Sequence, residues 1–172
     1  YFFLALFLSF LCSLLEAVLL STPASYSSIL SKKNPSEGER LERFKENINR
    51  PLAAILTVNT FAHTLGAAGV GAQTLYLYGE NSVAIASGIL TLLILIFSEI
   101  IPKTIGSVYW RGLIGKTTII VEILIFFTYP LVLLAEYISN FGEDEATVTR
   151  EEVIAMAEMG EDEGVLEEQE TD

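Results

Sequence analysis

Four apolar stretches run through this chain of 172 residues. Each approaches the ~20 residues that an α-helix needs to cross a hydrocarbon core ~30 Å thick. They extend from Tyr1 to Ser21, from Pro51 to about Tyr78, from Val83 to Gly106 and from Leu113 to Ile138. Lipid offers no hydrogen bonds, so a spanning segment must satisfy its own backbone, which a helix does internally. The expected fold is therefore an all-α membrane protein. The first stretch, YFFLALFLSFLCSLLEAVLLS, lacks a basic start and an obvious cleavage site and carries Glu16. It reads as a span and not as a signal peptide. The chain begins without Met, which suggests a trimmed sequence.

Charge divides the chain in two. Residues 1–140 hold nine Lys/Arg and nine Asp/Glu, whereas residues 141–172 hold Arg150 and thirteen acids. The expected organisation is a transmembrane domain over residues 1–140 followed by an acidic segment over residues 141–172. In that segment Thr149 and Glu152 fit a capping box, so helices are expected there as well. Thirteen carboxylates repel one another, and divalent cations would screen them. No basic stripe exists to neutralise phosphates, so no nucleic-acid partner is expected. Cys12 is the only cysteine and His63 the only histidine, which excludes a disulfide scaffold and a Cys/His zinc site.

Between the first two stretches lies a polar segment with Lys32, Lys33, Arg40, Arg43, Lys45 and Arg50. Its part from Ser36 to Asn49 reads as a charged surface helix after an Asn34-Pro35 turn, with Leu41, Phe44 and Ile48 on one face. The second stretch is rich in Ala and Gly, which let helices approach closely in lipid. A tight polar turn at Gly79–Ser82 follows. The basic residues sit in the first link and around the third, at Lys103, Arg111 and Lys116, so these links are expected on the cytoplasmic side with the amino terminus outside. The fourth stretch contains Glu122, Pro130 and Glu136, and two readings stay open for it: a span, or a helix along the cytoplasmic interface.

Three stretches each carry a polar group at a depth where they would meet: Ser13 and Glu16, Asn59 and His63, and Glu99. Ionisable groups within a span are costly and face a cavity or a partner. Pro102 lacks an amide hydrogen and clashes with the carbonyl of Ser98, so an interrupted helix is expected there, with Gly106 able to bend further. Freed carbonyls in such a helix are ready cation ligands. Hydroxyl, amide, carboxylate and backbone oxygens suit Mg²⁺, Ca²⁺ or Na⁺. The competing reading is plain interhelical hydrogen bonding, strongest for His63 and weakest for Glu99, because a buried carboxylate needs a partner. Lys103 is one candidate for that partner, although snorkelling to the interface is the simpler expectation for it. Glu16 is open between protonation, a helix–helix bond and a second cation. Glu122 and Glu136 read as the watery edge of the fourth stretch. There is no nucleophile–base pair and no phosphate loop, so an enzyme is not expected.

These residues resemble the transmembrane domain of the CorC/CNNM magnesium transporter family. SFLCSLLEAVLLS is similar to its Ser-x-x-Glu-Ala-x-x-x-Ser pattern, RPLAAILTVNTFAHTLGAA to its Pro-Leu…Asn-Thr helix, and LLILIFSEIIPKTIG carries its Glu-x-x-Pro-Lys signature. The tail, VTREEVIAMAEMGEDEGVLEEQE, resembles the acidic helical segment that follows. The resemblance implies a homodimer in the plasma membrane, with three transmembrane helices per subunit. A kinked belt helix at the interface and a cytoplasmic acidic helical segment leading to CBS domains, absent here, would follow. It implies magnesium transport, with Ser13, Asn59 and Glu99 giving side-chain oxygens to Mg²⁺ and carbonyls near Ser13 and Gly106 completing the shell. It also implies sodium-coupled export, with Na⁺ near Glu16 or Asn59. The alternative function is a cation-sensing scaffold or regulator of other transporters. No role is expected for Cys12 or His63.

Overall fold

In the computed structural model, which describes residues 2–139, the apolar stretches are helical and no β-strand occurs among the described residues. Helix α1 covers Phe2–Ser21, α2 Tyr26–Lys33, α3 Pro35–Glu46, α4 Asn49–Tyr78 and α5 Glu80–Leu93. A π-helical segment, Ile94–Ile100, leads into α6, Ile101–Ser139. The capping box and the rest of the expected acidic segment lie outside the described residues.

Three elements are long and apolar enough to cross a membrane: α1, α4, and the continuous helix that begins with α5. Helix α1 packs between α4 and the π segment, and α4 lies beside α5. The contact faces repeat at helical spacing. Ser9, Cys12, Ser13 and Leu19 of α1 and Pro51, Ala54, Ile55, Ala62 and Gly66 of α4 are buried. Small side chains bring the two backbones together: a Cβ on Gly66 would stand 2.5 Å from the Cβ of Ala5. The opposite faces expose Phe61, Leu65, Phe126 and Phe127, as expected where lipid takes the place of water. The α4–α5 turn depends on Gly79, whose φ of 80° is a left-handed conformation that glycine adopts without steric cost.

The polar link folds into an α2–α3 hairpin. Pro35 opens α3 at a position where its missing amide hydrogen costs nothing. Leu41 and Phe44 are buried, as the spacing predicts; helix α2 had no clear signal in the sequence. Lys45 donates from Nζ to the carbonyl of Leu19 at 2.7 Å, satisfying an acceptor in the last turn of α1. Burial holds this ammonium below the ordinary lysine pKa.

Two expectations about the third span change. The chain is not interrupted at Pro102. It stays helical through that residue, and the missing hydrogen bond follows directly on the π segment, where Ile101 donates to the carbonyl of Ile96. The extra residue per turn absorbs the proline without breaking the rod. Nor does the chain bend at Gly106. The departure from helical geometry falls at Tyr109 (φ −103°, ψ 17°).

Beyond that kink, α6 lies against the α2–α3 end, with Ile114, Val121, Ile125 and Val132 buried in the core shared with α1 and α4. Trp110 meets the ring of Tyr26 edge to face, with centroids 4.9 Å apart. Glu122 pairs with Arg40 at 3.5 Å and Arg43 at 3.2 Å. Glu136 pairs with Arg50, the second residue of α4, at 3.6 Å. The twenty-seven helical residues from Trp110 to Glu136 rise about 39 Å end to end. A crossing would therefore carry Glu136 towards the Tyr78 end of α4. All three contacts instead lie at the α2–α3 end, so this half of α6 is a belt, with Pro130 inside it. The interfacial reading of the fourth stretch holds, and its two carboxylates mark the polar edge.

Candidate cation site

The polar groups of the three spans gather midway along α1. Glu99 sits in the π segment, and its two carboxylate oxygens face different partners. Asn59 of α4 donates from Nδ2 to Glu99 Oε1 at 3.3 Å, and His63 Nε2 lies 3.6 Å from the same oxygen. Lys103 stands 3.4 Å from Glu99 Oε2, one turn along the rod, and 3.3 Å from Glu16 Oε2 on α1. The side chain of Glu99 is 24% exposed, against 46% for Lys103. Lys103 thus turns back to two carboxylates and does not simply snorkel. Glu16 pairs with Lys103, a contact between α1 and the third span.

Two oxygens in this region are buried without a hydrogen-bond partner: Ser13 Oγ and Asn59 Oδ1. Buried polar atoms are nearly always paired, because an unpaired one costs about 1–3 kcal/mol. Asn59 touches the Glu99 carboxylate, and hydroxyl, amide and carboxylate oxygens are the kind of donor that a hard cation takes. Asn59 explains its own orphan. Its amide nitrogen is committed to Glu99, which leaves the carbonyl end free to accept a cation and unable to accept from Glu99, which has no proton to give when ionised. Ser13 lies one turn before Glu16. Helical spacing therefore puts the hydroxyl and the Lys103-bound carboxylate on one face of α1.

Gly106 lies where α6 crosses this part of α1. A Cβ there would stand 2.8 Å from the carbonyl oxygen of Leu14, the residue after Ser13, and 2.8 Å from the Cβ of Ala17. Only glycine allows the backbones this close. Sequence reasoning placed Ser13, Asn59, Glu99 and Gly106 in one site. The structure joins Asn59 to Glu99 directly and sets Gly106 against Leu14.

Two residues were missed. Ser9 Oγ shares a hydrogen bond with His63 Nε2, so His63 links α1 to α4 and approaches Glu99 from the side opposite Lys103. Ser98 Oγ donates to the carbonyl of Leu6 at 3.2 Å, tying the π segment to α1. The spacing of Ser9 and Ser13, one turn apart on α1, was the available signal for the first. The π winding that aims Ser98 had none.

Comparison with known proteins finds a match to nearly the whole chain. The profile of the cyclin M transmembrane N-terminal domain family matches residues 1–170. A UPF0053 protein of Synechocystis is 34% identical over 168 residues, 96% of this chain and 49% of the relative. The UPF0053 inner membrane protein YfjD of Escherichia coli is 29% identical over 64% of this chain and 26% of its own length. A UPF0053 protein of Haemophilus influenzae is 32% identical over 69% of this chain and 28% of its own length. The chain thus spans about half, or less, of the length of these relatives.

Proposed function

The chain belongs to the cyclin M transmembrane N-terminal domain family, the CorC/CNNM family, and from that premise we propose that it is the membrane core of a Mg²⁺ transporter. Membership supports a membrane protein with a transport-related role. The finer reading rests on one observation: Ser13 Oγ and Asn59 Oδ1 are buried and unpartnered within a bundle of spanning helices, where Asn59 also donates to the Glu99 carboxylate.

Mg²⁺ is the cargo. It prefers six oxygens and dehydrates reluctantly, so a site within lipid must replace lost water with fixed donors. Ser13, Asn59 and Glu99 supply one donor from each span. The carboxylate of Glu99 supplies negative charge, and backbone carbonyls near Ser13 and Gly106 complete the shell. Movement of α1 against the Glu99 helix would open the site to one side and then the other. Sodium-coupled export, with Na⁺ near Glu16 or Asn59, is the direction we favour. The functional unit is a homodimer in the plasma membrane. Its amino terminus is outside, and the Lys/Arg-rich α2–α3 link and the tail are cytoplasmic. In the full-length protein the tail leads to CBS domains.

Calorimetric titration of the detergent-purified chain with Mg²⁺ tests the site. Asn59→Ala and Glu99→Ala should each weaken binding about tenfold or more, the loss of about 1.4 kcal/mol that one direct ligand supplies. Unchanged affinity in both variants would remove the site. Binding without flux in the full-length protein would favour a cation-sensing scaffold over a transporter.

A further inference from the structure

Lys103 is placed between two carboxylates of different helices, at 3.3 Å from Glu16 and 3.4 Å from Glu99. It therefore touches one of the proposed Mg²⁺ ligands and one residue that the cation site leaves unused. We infer that Lys103 is the resident counter-ion of the empty site: its ammonium neutralises Glu99 when no cation is bound, and passes to Glu16 alone when a divalent cation takes Glu99. The inference rests on the reading of Glu99 as a cation ligand and assigns the regulation of that site.

The physical need is plain. An ionised carboxylate within a span must be compensated at every stage, including the one in which the cargo has left. Glu16, Glu99 and Lys103 together carry one negative charge. A divalent cation beside Glu99 would repel an ammonium 3.4 Å from the same group. Glu16 offers that ammonium a second carboxylate without any backbone movement. Lysine suits the task because its flexible stem carries a compact charge that can pivot between two acceptors. The carboxylate is divided to match. Oε2 faces Lys103, while Oε1 faces Asn59 and His63, so the ammonium can leave without disturbing the α4 contacts. A tethered cation of this kind also keeps affinity low enough for release, which conduction of any ion requires.

The experiment is a Mg²⁺ titration by calorimetry on the detergent-purified chain, as wild type, Lys103→Met, Lys103→Arg, Glu16→Gln and the Lys103→Met/Glu16→Gln double variant. Removing the competitor should tighten Mg²⁺ binding about tenfold in Lys103→Met. Lys103→Arg should stay within about threefold of wild type, because the charge is retained. Glu16→Gln should weaken binding several-fold, since the ammonium then has only Glu99. In the Lys103→Met background the same Glu16→Gln change should cost much less, because no ammonium remains to be received. An equal cost of Glu16→Gln in both backgrounds would mean simple summed charge and would overturn the hand-over. Unchanged or weaker binding in Lys103→Met would make the pair merely structural and overturn the proposal. Should Lys103→Met fail to fold, Glu16→Gln alone decides, and unchanged affinity overturns it. A wild type that binds no Mg²⁺, or whose binding is indifferent to Glu99→Ala, would instead defeat the cation site itself.

Discussion

Asn59 divides its amide between two tasks. Its nitrogen donates to Glu99 at 3.3 Å, and its oxygen is buried without a partner. Replacement by Ala therefore removes a contact made in the empty protein as well as a proposed cation ligand. Ser13 is different: its hydroxyl has no hydrogen-bond partner among the described residues. Ser13→Ala should leave the thermal stability of the empty protein within about 0.5 kcal/mol of wild type, or raise it, while weakening Mg²⁺ binding. Differential scanning fluorimetry with and without Mg²⁺ checks this. A lower melting temperature without the ion would mean that the hydroxyl serves the fold. Ser13, Asn59 and Glu99 were visible in the sequence because an oxygen-bearing side chain is conspicuous in an apolar run. Ser9 was not singled out: its spacing from Ser13 puts it on the same face of α1, but nothing in the sequence says that this face meets His63.

Among the helices, the π segment bears directly on the site, and the α6 belt decides how many times the chain crosses. The apolar lengths and the turn at Gly79 were legible from composition and spacing, and so was the proline in the third span. How the chain accommodates Pro102 was not. Breaking the helix and widening one turn both answer a missing hydrogen bond, and only packing against α1 chooses between them. Gly106 was read as a bend, but a glycine selected for close approach looks the same in sequence. Gly106→Ala would place a methyl group 2.8 Å from the Leu14 oxygen. It should destabilise the protein by about 1–3 kcal/mol, measurable by thermal unfolding in detergent, and a neutral effect would show that the crossing has slack. The belt makes a separate prediction. Arg50 and Glu136 meet at 3.6 Å through long side chains, so a short bismaleimide should join the Arg50→Cys/Glu136→Cys pair and should not join Tyr78→Cys/Glu136→Cys. Cross-linking of the second pair alone would restore the spanning reading. The background is favourable, since Cys12 is buried.

Up to Glu136 the described helices form a bundle whose lipid-facing sides are apolar and whose interior converges on the Glu99 carboxylate. The α2–α3 end gathers Arg40, Arg43 and Arg50 against Glu122 and Glu136. These exposed pairs are each worth about 1 kcal/mol or less, so they orient the belt more than they stabilise it. The family and the all-helical fold were both readable from the sequence, the first through the Ser-x-x-Glu, Asn-Thr and Glu-x-x-Pro-Lys segments. The proposed transport is to be tested on the full-length protein. The decisive measurement is Mg²⁺ flux by full-length protein in liposomes loaded with a Mg²⁺ indicator, under an imposed Na⁺ gradient, compared with Glu99→Ala. Flux that depends on the gradient and falls to the protein-free background in the variant is the predicted result. Flux equal in both proteins would contradict a pathway through Glu99, and absence of flux in the wild type would contradict transport.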